Sequence, residues 1–418
     1  MAPLSQEPVS LLLLPALVLG STTASLISAY KKTFETLFPR LVQPNTQAIS
    51  RLDVAIALSP SYPPSPNIPR SALFIPIQRL LAETYSLICA VAAETKVDLD
   101  FPGGLDVRIF LLETRVDELP RGLSGTQVLS GPVVDIQTFA LAARPYTTIY
   151  SVEGEVGEGL LRSLITAWQS KKSRSAPPVQ RLPSGPAIVQ PSASQTAVHE
   201  DGPVTSHKSV AVGGTFDHLH IGHKLLLTAT VLAAEPSNPS SPTEAPRLVT
   251  VGITGDALLV NKKYGSVVEP WSVRQQRTAE FIESILVFHP DVSSITKTEH
   301  IDQPGPNGKI VRVTYGADIS INYTEISDPF GPTITDEGIS ALVISGETRA
   351  GGNAVNDKRK EKGWKELEIF EVDVLDASVA MDKDEGDGRK KQESFQGKIS
   401  STDIRRRLLE TTRASAAG

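Results

Sequence analysis

Residues 213–223 read Gly-Gly-Thr-Phe-Asp-His-Leu-His-Ile-Gly-His and directly follow the run Ser-Val-Ala-Val at 209–212. This order predicts a buried strand that ends in a glycine turn and leads into a helix with histidines in its first turn. Glycines let backbone N–H groups approach an anion closely, and a helix N-terminus adds unpaired donors and a partial positive charge. Imidazole rings supply further donors for phosphoryl chemistry. The stretch therefore predicts a site for the phosphates of a nucleotide.

The composition is that of a globular protein with more than one domain. With 418 residues the chain is long for a single core, so two or three domains are expected. Hydrophobic residues make up 40% and charged residues 21%, and the net charge of −6 argues against a protein that mainly coats nucleic acid. Cys89 is the only cysteine, which excludes an intrachain disulfide and a cysteine-based zinc site and fits a reducing compartment.

The first half of the chain alternates strand-like and helix-like segments, which predicts an α/β layer structure. The predicted strands are Val9–Leu14, Asp53–Leu58 and Asp106–Leu112, and the predicted helices are Thr22–Leu37, Ser71–Thr95 and Glu158–Gln169. No Lys or Arg precedes the apolar run 11–19 and a Pro interrupts it, so it is predicted to be a buried strand rather than a signal peptide. No later segment is predicted to be long enough to span a membrane.

A Pro- and Ser-rich stretch divides the chain. It predicts an N-terminal α/β domain of unassigned role at 1–170, a linker at 171–206 and a second domain at 207–418. In the second domain the predicted strands after 209–212 are Leu248–Thr254, Ala341–Ser345 and Glu368–Leu375, and the predicted helices are His220–Ala233, Pro270–Val287, Ala354–Lys362 and Thr402–Leu409. Segments 236–246 and 381–393 are predicted to be loops. The expected fold is α/β, with a mostly parallel sheet and phosphate-binding loops at the carboxyl ends of its strands.

The pattern Gly-Thr-Phe-Asp-x-x-His-x-Gly-His at 214–223 resembles the signature of the nucleotidylyltransferase superfamily, whose domain is Rossmann-like. The resemblance implies catalytic contacts of His220 and His223 with the nucleotide phosphates. It implies an ATP-binding loop made by Gly214, Thr215, Phe216 and Gly222. Asp217 matches the motif as well, and it either contacts the ligand or braces the loop.

The histidines of this motif have two alternative interpretations. One is a histidine-rich helix start without a ligand, and the other is a zinc site made by His218, His220 and His223. Spacings of two and three residues do not place all three rings on one face of a helix. We therefore expect no metal ion held by the protein itself.

A second motif, Lys-Ile-Ser-Ser-Thr-Asp-Ile-Arg, occupies residues 398–405. Hydroxyl residues before a helix can simply cap its free N–H groups. The adenylyltransferases of the same superfamily carry a similar Ile-Ser-Ser-[Ser/Thr]-x-[Ile/Leu]-Arg. That resemblance implies that Ser400, Ser401 and Thr402 bind ATP and that Arg405 binds phosphate or substrate.

The segments between the two motifs resemble the eukaryotic-type phosphopantetheine adenylyltransferases. The similar segments are Ser-Gly-Glu-Thr at 345–348, Gly-Gly-Asn-Ala-Val-Asn at 351–356, Asp-Pro-Phe-Gly-Pro at 328–332 and the lysine pair at 262–263. The resemblance implies that Lys263 neutralises charge in catalysis and that Lys262, Glu347 and Arg349 bind substrate or phosphate. Which of the two lysines acts stays open. The alternative for either one is a solvated charge on a loop, without a role in catalysis. The family often has Tyr-Arg before the Gly-Gly pair, and here Arg349-Ala350 displaces the arginine by one position.

The implied reaction is the transfer of AMP from ATP to 4′-phosphopantetheine, with Mg²⁺ arriving on the ATP. The two Gly-Lys pairs, at 308–309 and 397–398, are each followed by Ile, so no Walker A loop of a kinase is present. ATP and 4′-phosphopantetheine are the expected partners, with neither nucleic acid nor a membrane span. Association with other enzymes of coenzyme A biosynthesis stays open. The cytoplasm is the expected location, with the nucleus as the alternative.

Three rival functions remain. Cytidylyltransferases for glycerol phosphate or choline phosphate share a very similar first motif, but their second motif has an Arg-Thr that residues 395–401 lack. Nicotinamide mononucleotide adenylyltransferases share the second motif but prefer Gly-Ser-Phe-Asn in the first. A nucleotide-sensing scaffold without activity is the third rival, and the intact His220 and His223 argue against it.

Overall fold

The computed structural model describes residues 9–17, 21–42, 48–59, 69–114, 131–142, 144–169, 176–185, 205–236, 246–375 and 400–416. Within these residues the chain forms two α/β units, each built on one sheet. The predicted fold class, a domain with a mostly parallel sheet preceded by a second α/β domain, is confirmed.

The first sheet is entirely parallel. Its strands lie in the order β4-β3-β2-β1-β5-β6. The strands are β1 (Val9–Leu14), β2 (Ser50–Ala57), β3 (Leu105–Glu113), β4 (Val133–Asp135), β5 (Tyr146–Val152) and β6 (Val179–Leu182). The helices of this unit are α1 (Thr23–Leu41), α2 (Phe74–Thr95), α3 (Ile136–Leu141) and α4 (Glu155–Gln169). Leu11 to Leu14 are fully buried, as a central strand of a parallel sheet requires.

Part of the predicted linker belongs to this first sheet. Strand β6 lies within 171–206 and pairs with β5 through Ile149 and Val179. In its sequence, Val-Gln-Arg-Leu, only Leu182 is buried. A four-residue edge strand of this kind carries too weak an apolar signal to be recognised next to the prolines. Strands β4 and β5 and helix α3 were likewise not predicted.

The second sheet is parallel over five strands and ends in an antiparallel hairpin. Its order is β13-β12-β7-β8-β11-β10-β9. The strands are β7 (Ser209–Gly214), β8 (Arg247–Thr254), β9 (Thr296–Asp302), β10 (Lys309–Tyr315), β11 (Ile319–Ile326), β12 (Ala341–Ser345) and β13 (Glu368–Val372). The helices are α5 (Ile221–Ala233), α6 (Trp271–Leu286), α7 (Val292–Ile295), α8 (Arg349–Glu361) and α9 (Ser401–Ala416).

Helix α8 starts five residues earlier than the sequence predicts. The prediction began at Ala354 because Gly351 and Gly352 disfavour helix, yet both lie inside it. A Cβ on Gly352 would come within 3.3 Å of the Ile344 side chain, so the glycine lets α8 approach β12 closely. The hairpin of β9 and β10 was also not predicted, and the predicted loop 381–393 lies outside the described residues.

Helix α2 packs against both units. It contacts α1 of the first unit and α5 and β13 of the second. With its preceding 3₁₀ turn it spans Arg70–Thr95 and is long and apolar enough to cross a membrane by length and composition, which the sequence prediction overlooked. Within the protein 72% of its most apolar window is buried. A helix that is apolar on most sides is expected where two layers cover it.

Candidate functional site

The first motif lies at the centre of the second sheet. Strand β7 runs between β12 and β8, and the chain leaves it on one side for β8 and later returns on the other side for β12. In open α/β sheets, ligands bind at the carboxyl ends of the strands where the strand order reverses in this way. The loop after Gly214 occupies that position.

This loop holds two residues in an unusual backbone conformation. Phe216 and His218 have φ values of 51° and 46°, in the left-handed region that non-glycine residues rarely adopt. The Phe216 ring is fully buried. A Cβ on Gly214 would lie 2.9 Å from that ring, so only glycine fits there. Strain of this kind persists where the surrounding structure fixes it, and it is common at functional sites.

The two motif histidines form a stacked pair at the start of α5. His220 precedes the first residue of the helix and His223 lies in its first turn. Their ring centroids are 3.9 Å apart with an interplanar angle of 26°, and the Phe216 ring lies 5.3 Å from His223. A Cβ on Gly222 would approach Cε1 of His220 to 3.2 Å, so Gly222 makes room for this ring.

Both histidines are neutral at physiological pH. Burial lowers the pKa of His223 to about 4, with nearby His218 adding to the effect and Asp217 opposing it. The pKa of His220 is lowered well below its ordinary value, first by burial and then by the neighbouring His223 and Lys224. Nδ1 of each ring is buried without a hydrogen-bond partner in the described part of the chain. A neutral imidazole has one N–H donor and one acceptor nitrogen, so each can still donate to a phosphate oxygen.

Asp217 and Arg405 join the two motifs. Nη1 of Arg405 lies 2.6 Å from Oδ2 of Asp217, and both side chains are almost fully buried. Ser401 donates from Oγ to the Asp217 carbonyl at 2.9 Å, and Arg405 also donates from Nε to the Lys263 carbonyl at 3.1 Å. The two side chains predicted to contact ligand or phosphate therefore contact each other and fix the surrounding loops.

The described part of the second motif, residues 400–405, forms the N-terminus of α9. The amide of Asp403 donates to Oγ of Ser400 at 3.2 Å, which is a helix-capping contact. The hydroxyl of Thr402 accepts from Nη2 of Arg405 at 3.1 Å. Because Ser401 is held by the loop of the first motif, the N-termini of α5 and α9 lie at the same site. Two helix N-termini together give a region suited to anions.

Arg274 is a buried arginine that the sequence reasoning did not assign to the site. It donates to the carbonyl of Thr215 at 2.7 Å and to that of Thr254 at 2.8 Å, and so ties the loops after β7 and β8 together. It also donates to Oδ1 of Asp256 at 2.7 Å. Its spacing of four and seven residues from Thr278 and Phe281 places it on the buried face of α6. This helical spacing could have indicated a buried arginine from the sequence.

The other predicted residues are exposed. Lys262 and Lys263 lie in the segment after β8, and the Lys263 ammonium sits 5.2 Å from the centroid of the Tyr264 ring. Glu347 lies in the 3₁₀ turn Gly346–Thr348 that follows β12. Arg349 donates from Nε to Glu371 at 2.7 Å on the neighbouring strand β13. The structure thus places these residues at the carboxyl edge of the sheet, and it pairs Arg349 with a carboxylate.

One group of side chains in the described residues has the spacing of a metal site. It consists of Asp217, His218 and Glu269. Each carboxylate already has a cationic partner, since Asp217 pairs with Arg405 and Glu269 lies 3.0 Å from Arg277. Nε2 of His218 also contacts the Val267 carbonyl at 2.8 Å. This donor set fits a protein ion-pair network better than a bound metal ion.

A cavity of about 530 Å³ lies beside the histidine pair, between the two units. One wall comes from the end of α2 and the loop after it, and the other from the first turns of α5 and α9. His220, Ile221 and Asp403 line it from the second unit, and Ala92 and Leu99 line it from the first. Its volume is in the range of small-molecule sites.

The comparisons with known proteins give one family model and several relatives. Residues 1–188 match a family model described as a domain of unknown function, DUF8446. Two fungal relatives are about a third identical to the chain over an aligned stretch of about half its length. "Uncharacterized protein C1F12.08" of Schizosaccharomyces pombe is 32% identical over 48% of this chain and 48% of its own length.

The second fungal relative carries the name of a nucleotidyltransferase. The protein named "Phosphopantetheine adenylyltransferase" in Saccharomyces cerevisiae is 31% identical over 50% of this chain and 52% of its own length. A protein of the same name in Methanothermobacter thermautotrophicus is 28% identical over 40% of this chain and 74% of its own length. The chain thus covers about half of each of the two fungal relatives.

Proposed function

We propose that the protein is a pantetheine-phosphate adenylyltransferase, which transfers AMP from ATP to 4′-phosphopantetheine. The observation that carries the proposal is the Asp217–Arg405 ion pair, because it brings the N-termini of α5 and α9 to the carboxyl edge of β7. Both helix starts carry motifs that resemble those of adenylyltransferases. Curated relatives named phosphopantetheine adenylyltransferase support the substrate pair.

In the proposed reaction an oxygen of the terminal phosphate of 4′-phosphopantetheine attacks the α-phosphorus of ATP. The new P–O bond forms as the bond from the α-phosphorus to the bridging oxygen breaks, and pyrophosphate leaves with the electron pair. A phosphate is already a nucleophile at neutral pH, so the protein needs no general base. Its task is to align the reactants and to stabilise negative charge in the transition state.

The residues divide this task. His220 and His223 are neutral and donate to phosphate oxygens, and the backbone N–H groups of the first turn of α9, at Ser401 and Thr402, hold the triphosphate. Lys263 or Lys262 neutralises the leaving pyrophosphate. Mg²⁺ enters as part of the substrate MgATP, in line with its preference for phosphate and water ligands. The carboxylates of the site, being paired with arginines, are not needed to hold it.

Pyrophosphate release with three substrate pairs tests the proposal. The pairs are ATP with 4′-phosphopantetheine, CTP with glycerol phosphate, and ATP with nicotinamide mononucleotide. We expect pyrophosphate release with the first pair. Release only with another pair would show that the proposed substrates are wrong and that the other pair is used. If the purified chain binds ATP but releases pyrophosphate with none of them, the proposed enzyme activity is wrong and a nucleotide sensor takes its place.

A further inference from the structure

We infer that the N-terminal unit is part of the candidate catalytic centre, with Asp100 and Asp106 as positioning residues for the histidine pair. The contact is made by Lys224, the residue that follows His223. Its ammonium donates to the carboxylate of Asp100, to Oδ1 of Asp106 at 2.5 Å and to the Val107 carbonyl at 3.3 Å. All three acceptors belong to the N-terminal unit.

The contact is buried. The side chains of Lys224 and Asp100 are 3% and 5% exposed. A buried lysine needs compensating carboxylates, and truncating one partner of such a group is costly because the other charge is left unpaired. Lys224 therefore fixes the first turn of α5 against the N-terminal unit, and its amide donates to the His220 carbonyl at 3.0 Å within that turn.

Asp100 also lies beside the start of α5. It lines the cavity together with His220 and Ile221, and its carboxylate accepts from the Lys224 ammonium. One carboxylate thus lies beside the helix N-terminus that carries His220 and contacts the lysine beside His223. Shifts of the first turn of α5 would move both rings relative to a bound phosphate.

The backbone of the N-terminal unit is arranged for this contact. Asp100 has φ of 55°, in the left-handed region, and its amide donates to the Leu105 carbonyl at 2.9 Å. At Gly104 a Cβ would lie 2.2 Å from the Asp98 carbonyl oxygen, so the turn closes only with glycine there. Asp106 is held in turn by Arg108 at 2.6 Å, which also donates to the Glu280 carbonyl of α6 at 3.4 Å.

The inference rests on the proposed function, and Asp100→Asn in the full chain tests it. Burial raises the pKa of Asp100 to about 6, so at pH 7.5 the substitution removes a negative charge while keeping the shape. We expect kcat to fall on the order of tenfold or more and KM for ATP to change much less. The reason is that displaced His220 and His223 rings lose their alignment with the transition state, on which kcat depends. The imidazole proton signals of His220 and His223 in the free enzyme should shift as well.

Asp98→Asn is the matched control. Asp98 lies in the same loop and pairs with Arg407 of α9 at 2.8 Å across the same interface, but it does not contact α5 in the described structure. We expect unchanged kcat and unchanged histidine signals in this variant. If Asp100→Asn does not fold, Asp100→Glu keeps the charge but displaces the carboxylate, and it should show the same loss.

The outcomes separate this inference from the proposed function. A wild-type chain without activity would contradict the proposed reaction, and the histidine signals would still decide whether Asp100 positions the pair. An active wild type, with kcat and histidine signals unaltered by a folded Asp100 variant, would overturn the positioning role. The positioning role would also be overturned if the Asp98 and Asp100 variants lost thermal stability equally and showed no other change. The Lys224 contact would then only hold the two units together.

Discussion

Asp217 and Arg405 are 188 positions apart in the chain and meet at 2.6 Å in the protein. The carboxylate belongs to the loop after β7 and the guanidinium to the first turns of α9. Around this pair, the carbonyl of Lys263 and the hydroxyl of Thr402 complete the hydrogen bonds of the arginine. The ion pair therefore holds together three segments of the site that are distant in the sequence.

Arg405→Ala should destabilise the fold and abolish most activity. It leaves the Asp217 carboxylate buried without its partner, a change that ordinarily costs about 3–5 kcal/mol. Urea unfolding measures the loss. Arg406→Ala is the control, because Arg406 is an exposed neighbour that pairs only within α9 in the described structure. Equal stability of the two variants would show that the buried pair does not hold the loops together.

His223→Ala should lower kcat by about 10²-fold with the fold intact, by analogy with the loss of one oxyanion donor. The ring is half-buried and packs on His220 and Phe216, so circular dichroism should accompany the rate measurement. His300→Ala, on the exposed edge strand β9, is the control and should behave like the wild type. Near-normal turnover of a folded His223→Ala enzyme would remove His223 from the catalytic set.

Gly222→Ala should reduce activity about tenfold without loss of stability. Alanine favours a helix by up to about 1 kcal/mol over glycine, but here its Cβ would lie 3.2 Å from the His220 ring and displace it. Gly351→Ala supplies the comparison, since Gly351 is helical and its Cβ would meet nothing within 4 Å. The contrast fails if both alanine variants keep full kcat.

The free energy of unfolding should fall as pH is lowered from about 6.5 to 4, in part through His223. Its folded pKa of about 4 lies below the ordinary value, so the unfolded chain binds more protons in that window. Stability from this group is thus present above the unfolded pKa and lost as pH falls toward the folded one. Comparing wild type with His223→Gln between pH 7 and pH 5 isolates the effect, and the variant should show the smaller decline. Parallel curves would contradict a depressed pKa.

The local parts of the site could be predicted from the sequence, and the long-range parts could not. A strand, a glycine turn and histidines at a helix start lie within fifteen residues, so the positions of His220 and His223 follow from local rules. Nothing local indicates that Asp217 contacts Arg405, because such a partner depends on the whole sheet order. The role of Lys224 was missed for the same reason, since its acceptors lie in the other unit.

Strand predictions succeeded for the most apolar runs and failed for strands that are short or that mix polar with apolar residues, including the interior strands β5 and β11. Val9–Leu14 and Ala341–Ser345 are central and buried, and both were predicted with their observed bounds. Strand β9 lies at the sheet edge and is mostly exposed, whereas β10 lies one strand inward and buries Val311, Val313 and Tyr315 between more exposed residues. An edge strand needs little apolar surface, so its sequence differs little from that of a loop.

The position of α2 has a consequence for how the chain can be divided. Phe74 packs on Phe370 with ring centroids 4.7 Å apart, and Gln78 exchanges hydrogen bonds with Asp373, so the helix belongs to both sheets. Cutting the chain between the units would expose one side of α2 to solvent and leave an apolar surface on both fragments. The two units should therefore melt as one calorimetric transition rather than two.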